Sequence, residues 1–232
     1  MSDPEKTYLI NEIFLSLQGE GVRAGTANVF VRFARCNLLC TVEPGPRSPG
    51  GFDCDTEFIS GQDMTAQQIV AEACRLFADA SDGLAHAWVI FTGGEPMLQL
   101  DRALVVAFHH SFIKCALETN GTIPLGDLEP SWPREQSGRF VTTQLGKLDW
   151  VCVSPKVASH AVRVHRADEL KVVRARGQSL PSFQVDADHY LVSPAFDGDA
   201  LSRETLEWCM GLVKRNPLWR LSVQQHKGWR VR

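Results

Sequence analysis

The chain has 232 residues, 44% of them hydrophobic and 22% charged, which suits one soluble globular domain with a sizeable core. Its 24 Lys and Arg against 27 Asp and Glu leave a formal net charge of −3 without any basic block, which argues against direct nucleic-acid binding. No apolar run reaches the ~20 residues of a membrane span, and the opening Met-Ser-Asp-Pro-Glu-Lys-Thr lacks a signal peptide's apolar core, so a cytoplasmic protein with no membrane association is expected.

Residues 7–17 are rich in β-formers and predict a strand, ending at Leu17-Gln18-Gly19-Glu20-Gly21. Two glycines there allow close backbone approach to a ligand, with Gln18 and Glu20 supplying polar groups; a plain turn is the alternative. A second strand covers 28–34 and carries Arg32, a cation that needs an anionic partner, either a ligand or a structural salt bridge. Next comes a polar loop with Cys36, Cys40 and Cys54, the last followed by Asp55 and Thr56. Three reduced thiols in one loop suit an iron–sulfur cluster or zinc better than a disulfide, and three is one short of a closed zinc site. Cys74, Cys115, Cys152 and Cys209 sit in apolar patterns and read as small buried hydrophobes.

Thr65 is placed to cap a helix to about Ala80, with Ile69, Val70, Ala73, Leu76 and Phe77 on one face. The apolar run 87–91 predicts a buried parallel strand ending in Thr92-Gly93-Gly94-Glu95-Pro96. A helix over 101–110 follows, with His109 and His110 as its solvated C-terminal end rather than metal ligands. A strand over 112–117 ends in Glu118-Thr119-Asn120-Gly121. The proline-bearing stretch 122–148 reads as an irregular insertion. Strands at 149–153, 169–173 and 189–192 end at or near Ser154-Pro155-Lys156, Val173 and Ser193-Pro194, the last running on to Asp197. A helix over about 201–215 stops before Pro217, and a last strand over 219–223 leads to Gln225-His226-Lys227. Strands alternating with helices or loops predict an α/β fold with a largely parallel sheet. The polar clusters fall just past strand ends, where such sheets gather their sites.

Cys36-x3-Cys40…Cys54 together with Gly93-Gly94-Glu95-Pro96 resembles the radical S-adenosylmethionine (SAM) superfamily, with thirteen residues rather than two before the third cysteine. Within it, the chain resembles the 7-carboxy-7-deazaguanine synthase family through Leu17–Gly21, Arg32–Ala34, Cys36–Leu38, Cys54–Thr56, Thr92–Pro96, Glu118–Gly121, Ser154–Lys156, Glu169–Val173 and His226-Lys227. The resemblance implies a partial, incomplete TIM-like barrel of mainly parallel strands with flanking helices. It implies a lyase that turns 6-carboxy-5,6,7,8-tetrahydropterin into 7-carboxy-7-deazaguanine in queuosine biosynthesis, with loss of ammonia and a 5′-deoxyadenosyl radical. It implies a [4Fe–4S] cluster on Cys36, Cys40 and Cys54, and Mg²⁺ at Thr56. SAM would meet Gly93, Gly94, Glu95, Glu118, Ser154, Pro155, Lys156, Ser193, Pro194 and Asp197. The pterin would meet Leu17, Gln18, Gly19, Glu20, Arg32, Thr92, His226 and the C-terminal Arg232. A homodimer reduced by a flavodoxin- or ferredoxin-type donor completes the expectation. The rival readings are a radical SAM enzyme with another substrate, such as a glycyl-radical activating enzyme, and a non-catalytic metal-binding α/β module.

Overall fold

The computed structural model describes residues 6–38, 58–80, 86–132, 136–137, 140–141, 143–198 and 200–231. Cys40, Cys54, Thr56 and Arg232, all expected at the site, lie outside the described residues.

One nine-stranded sheet runs through the molecule. Its strands are β1 (Thr7–Leu17), β2 (Ala27–Phe33), β3 (Gln62–Thr65), β4 (Trp88–Gly93), β5 (Lys114–Thr119), β8 (Trp150–Val153), β9 (Arg166–Arg174), β10 (Asp186–Pro194) and β11 (Trp219–Leu221). A separate two-stranded piece pairs β6 (Gln136–Ser137) with β7 (Phe140–Val141). The helices are α1 (Ala66–Ala80), α2 (Arg102–His110), α3 (Arg203–Arg215) and the short α4 (Gln225–Trp229). Sheet order is β11-β10-β9-β8-β5-β4-β2-β1-β3. From β2 to β11 every pairing is parallel, whereas β1 runs antiparallel to both β2 and β3.

The two faces of the sheet differ because side chains alternate along each strand. On the outer face Val29, Val31, Phe33, Val89, Phe91, Cys115 and Leu117 are buried, and they form one core with Ile69, Ala73 and Phe77 of α1 and Leu104, Val105 and Phe108 of α2. On the inner face Phe14, Phe30, Ile90 and Ala116 form a small second cluster, flanked by Trp88 and Trp150. Phe14 and Phe30 stack across β1 and β2 with centroids 5.2 Å apart. This apolar layer floors the inner face, and the polar residues lie above it.

The edges of the sheet are brought together. The N–H of Gln225, at the start of α4 beyond β11, donates to Gly19 O after β1 at 2.9 Å. The N–H of Gly21 donates to Ser222 Oγ at 2.9 Å. β11 stands at one end of the order and β1 next to the other, so the segments that follow them can meet only if the sheet curls, and the inner face becomes a lumen. Among the described residues no strand pairing closes the sheet, so the architecture is an incomplete barrel.

Local rules account for the helices. Thr65 and Gln68 form a reciprocal cap: Gln68 N–H donates to Thr65 Oγ1 at 3.3 Å, and Thr65 N–H to Gln68 Oε1 at 2.8 Å. Asp101 caps α2 through Leu104 N–H at 3.0 Å, and Ser202 caps α3 through Thr205 N–H at 3.1 Å.

Some boundaries differ from expectation. β5 starts at Lys114, not residue 112: Phe112 is 85% exposed with φ 61°, so it turns the chain out of α2. β3 and α4 were not anticipated. The stretch 122–148 is anchored at both ends, since Leu125, Leu128 and Leu148 are buried in the main core. His109 is not a solvated helix end. Its side chain is 2% exposed and its Nε2 lies 2.9 Å from Asp149 Oδ2. Gly146 N–H donates to His109 Nδ1 at 3.1 Å, which leaves the proton on Nε2 to donate to Asp149. Asp149 Oδ2 also accepts from Cys115 N–H at 2.8 Å. His109, Cys115 and Asp149 are close enough to invite a metal, but both ring nitrogens are already committed to the fold. The cluster is a structural clamp between α2, β5 and the chain entering β8.

Candidate active site at the rim and lumen of the curled sheet

The rim begins where β2 runs on beside the end of β4. Gly94 N–H donates to Phe33 O at 3.0 Å, and Glu95 N–H to Arg35 O at 2.9 Å. This approach needs the two glycines. A Cβ on Gly93, whose φ is 120°, would lie 2.2 Å from Phe33 O, and one on Gly94 would lie 1.9 Å from Arg35 O. The resemblance implies that SAM meets these glycines. Within the chain, they make room for the backbone that leads into Cys36. Arg35 takes φ 74° to make the turn.

Glu95 is fully buried and its carboxylate is engaged within the protein. Oε1 accepts from Thr119 Oγ1 at 2.8 Å and Met97 N–H at 3.0 Å, and Oε2 accepts from Asn120 N–H at 2.8 Å. Burial raises its pKa against these three bonds. Glu95 therefore ties the end of β4 to the end of β5. Asn120 continues the tie, its Nδ2 donating to Asn37 Oδ1 at 3.1 Å, while Asn37 Nδ2 donates to Thr122 Oγ1 at 2.8 Å. Half-buried Cys36 is thus held at the rim by the ends of β4 and β5.

Below the rim, a strap of residues 18–26 joins β1 to β2 and crosses the lumen. Its base is closed by Gln18 N–H to Thr26 O and Gly25 N–H to Gln18 O, both 2.8 Å. Gln18 Nε2 donates to Glu118 Oε1 at 2.9 Å, and Thr92 Oγ1 donates to Glu118 Oε2 at 3.2 Å. Glu20 pairs with Lys171 of β9, the two side chains being 13% and 9% exposed. Burial alone would raise the Glu20 pKa, but the Lys171 ammonium, with Lys156 and His226 farther off, holds it below the usual range. Lys171 in turn stays firmly protonated: burial works against it, and the carboxylates of Glu20 and Glu118 outweigh burial. The His226 ring packs on Gly19, where an added Cβ would come within 2.0 Å of Nδ1.

The lumen wall is completed by Trp150, Cys152 and Glu169, with Arg23 reaching in from the strap. Glu169 Oε1 accepts from Trp150 Nε1 at 3.0 Å and from Val22 N–H at 3.1 Å, and burial raises its pKa. Arg23 lies over the Trp88 ring, 3.7 Å from its centroid, and donates to Asn28 Oδ1 at 2.7 Å. Burial lowers its pKa to about 10.

The other expected residues are spread around this centre. Lys156 Nζ donates to Ser154 Oγ at 3.1 Å beyond β8. Ser193 and Pro194 are buried at the end of β10, and Asp197 bridges to Ala200 just outside. Leu17 is 36% exposed at the foot of the strap. Arg32 has the structural salt bridge named as one of its two options: its Nη1 lies 3.1 Å from Glu12 Oε1 on β1, leaving Nε buried without a hydrogen-bond partner. Cys115, Cys152 and Cys209 are buried as expected, and Cys74 is half-buried.

Sequence reasoning quoted Glu169 and Lys171 but gave them no role, and it missed Arg23. The signal was present in β9, where two charges two residues apart share a face of an otherwise buried strand. Among the described residues, no helix is long and apolar enough to cross a membrane.

No family model matches the chain. A 7-carboxy-7-deazaguanine synthase of Burkholderia multivorans is 39% identical over 95% of this chain and 97% of its own length. That of Bradyrhizobium diazoefficiens is 37% identical over 97% of this chain and all of its own length (100%). The crystal structure of QueE from Escherichia coli superposes with a TM-score of 0.57 over 94% of this chain and 93% of that one, at 20% identity, and so shares the fold. Identity at this level along nearly the whole chain settles the kinship: the chain belongs to the 7-carboxy-7-deazaguanine synthase family.

Proposed function

We propose that the lumen binds 6-carboxy-5,6,7,8-tetrahydropterin and that the chain converts it to 7-carboxy-7-deazaguanine with loss of ammonia, as a step towards queuosine. Family membership supports the reaction. The observation that carries the site is the convergence of the strap with the strand ends: Gln18 on Glu118, Glu20 on Lys171, and Gly19 against His226. Gln18 and Glu20 present acceptors and donors suited to the 2-amino-4-oxo edge of a pterin. Lys156 and the unpaired Nε of Arg32 are cationic groups for carboxylates.

Half-buried Cys36 at a rim built by two glycines fits a thiolate ligand of a [4Fe–4S] cluster. Cys40 and Cys54 are its proposed companions, and Thr56 a proposed oxygen ligand of Mg²⁺. Bound there, cluster and SAM would supply the 5′-deoxyadenosyl radical that abstracts hydrogen from the pterin. The chain's own part is to bind, orient and exclude water. Glu118, held by Gln18 and Thr92, stands ready to meet polar groups of SAM or pterin. Ser154 and Lys156 would meet the ribose and carboxylate of SAM. Glu95 is assigned to positioning, because its carboxylate is already engaged. A homodimer, a flavodoxin- or ferredoxin-type donor and a cytoplasmic setting belong to the same reading.

The test is anaerobic. The protein is reconstituted with iron and sulfide, reduced, and given SAM, Mg²⁺ and 6-carboxytetrahydropterin. Mass spectrometry is expected to find 7-carboxy-7-deazaguanine. SAM cleavage without that product would overturn the substrate assignment, and a well-formed cluster that cleaves no SAM would overturn the reaction class.

A further inference from the structure

Glu169 and Lys171 both point from β9 into the lumen, and both hold the strap. Glu169 accepts from the Val22 backbone, and Gly21, with φ 75°, passes so close that a Cβ there would lie 2.3 Å from Glu169 Oε2. Lys171 contacts the carboxylate of Glu20 itself, and is 7% exposed. We propose that Lys171 is a positioning residue that keeps Glu20 ionised and aimed into the lumen, and so sets the site's preference for a ligand edge with two adjacent N–H donors. This rests on the pterin reading above.

The chemistry follows from what a carboxyl group can offer. An amino-pyrimidinone edge carries a ring N–H beside an exocyclic amino group. An ionised carboxylate is acceptor-only and can meet both, whereas a protonated one turns a donor towards donors. A carboxyl this buried, left alone, takes up a proton. Lys171 contacts Oε2 alone, and a carboxylate oxygen accepts more than one hydrogen bond, so Oε1 and the remaining lone pair of Oε2 are left to meet the two donors of the ligand. The other groups around Glu20 act less directly. Lys156 is bonded to Ser154, the His226 ring packs on Gly19, and the Cys152 thiol is kept protonated mainly by burial. Glu118 faces Lys171 and shares its charge.

The experiment compares Lys171→Met, Lys171→Arg, Glu20→Gln and the Glu20→Gln/Lys171→Met double variant in the reconstituted enzyme. For Lys171→Met, KM for 6-carboxytetrahydropterin is expected to rise about tenfold or more at pH 7. Its kcat/KM should then recover with rising pH, as the Glu20 proton is lost, across a range where the wild type is flat. Lys171→Arg should stay within about threefold of wild type, because the charge remains. In the Glu20→Gln background, Lys171→Met should add less than about twofold, since there is no carboxylate left to act on. Equal penalties in both backgrounds, or a loss unchanged by pH, would overturn the proposal. Infrared spectroscopy needs no substrate. Lys171→Met should show a protonated-carboxyl band at neutral pH in addition to any in the wild type, and the double variant should lack this additional band; its absence from the difference spectrum of Lys171→Met against wild type would overturn the proposal. A wild type that does not turn over the pterin overturns the substrate reading alone, and the infrared band still decides the role of Lys171. Should Lys171→Met fail to fold, the double variant, which buries no unpaired charge, and Lys171→Arg carry the comparison.

Discussion

Gly19 and His226, 207 positions apart in sequence, lie in such contact that a methyl group on Gly19 would sit 2.0 Å from the His226 ring. The start and the end of the chain thus build one wall of the lumen together. Gly19→Ala must push either the strap or the ring aside. The expected result is a fall of about tenfold or more in kcat/KM for the pterin, carried mainly by KM. Unchanged steady-state kinetics with a folded variant would mean that the contact has no part in binding.

The rim makes a second demand. Gly94 must lack a side chain because Arg35 O occupies the space a Cβ would take, 1.9 Å away. Backbone cannot yield there cheaply. Gly94→Ala is expected to lower stability by about 2 kcal/mol or more. It should also reduce iron and sulfide incorporation, since the segment it displaces leads into Cys36. Chemical unfolding and iron analysis check the two parts separately.

Asp101 links the first strand to the second helix. It accepts from Lys6 at 2.5 Å, from the Tyr8 hydroxyl at 2.8 Å and from Leu104 N–H at 3.0 Å. Burial pushes its pKa up, but these donors together hold it below the ordinary carboxylate range. A pKa lower in the folded state than in the unfolded one stabilises above the unfolded value, about 3.9, and that stabilisation fades as pH falls towards the folded value. Asp101→Asn should therefore cost about 1 kcal/mol at pH 7, with the difference from wild type shrinking below about pH 4. Urea midpoints at the two pH values decide it. A difference independent of pH would show that the charge is irrelevant.

Much of this was legible in the sequence because it is local. Apolar runs marked the parallel strands, and polar clusters past their ends marked the rim. Thr65, Asp101 and the apolar spacing marked the helices. What escaped depends on partners far along the chain. His109 reads as a helix-end cation until Asp149 is brought to it, forty positions later in sequence. For Arg32 the sequence left open an anionic ligand or a salt bridge, and the partner of that salt bridge, Glu12, is found only once β1 pairs with β2. β3 was invisible because Gln62-Asp63-Met64-Thr65 has no apolar alternation, and only pairing with β1 makes it a strand. Glu95 was named as a SAM contact through the resemblance alone, and two of its three donors, Thr119 Oγ1 and Asn120 N–H, are brought to it by the end of β5, more than twenty positions on.

The measurement closest to the central claim is the affinity of the reduced, SAM-loaded protein for 6-carboxytetrahydropterin, by anaerobic calorimetry, in wild type and Glu20→Gln. A carboxylate facing two N–H donors contributes about 1.5–3 kcal/mol through each charge-assisted bond, so Glu20→Gln should weaken binding by about tenfold or more. Binding of the pterin with equal affinity by both proteins would contradict the placement of the substrate in the lumen beneath the strap.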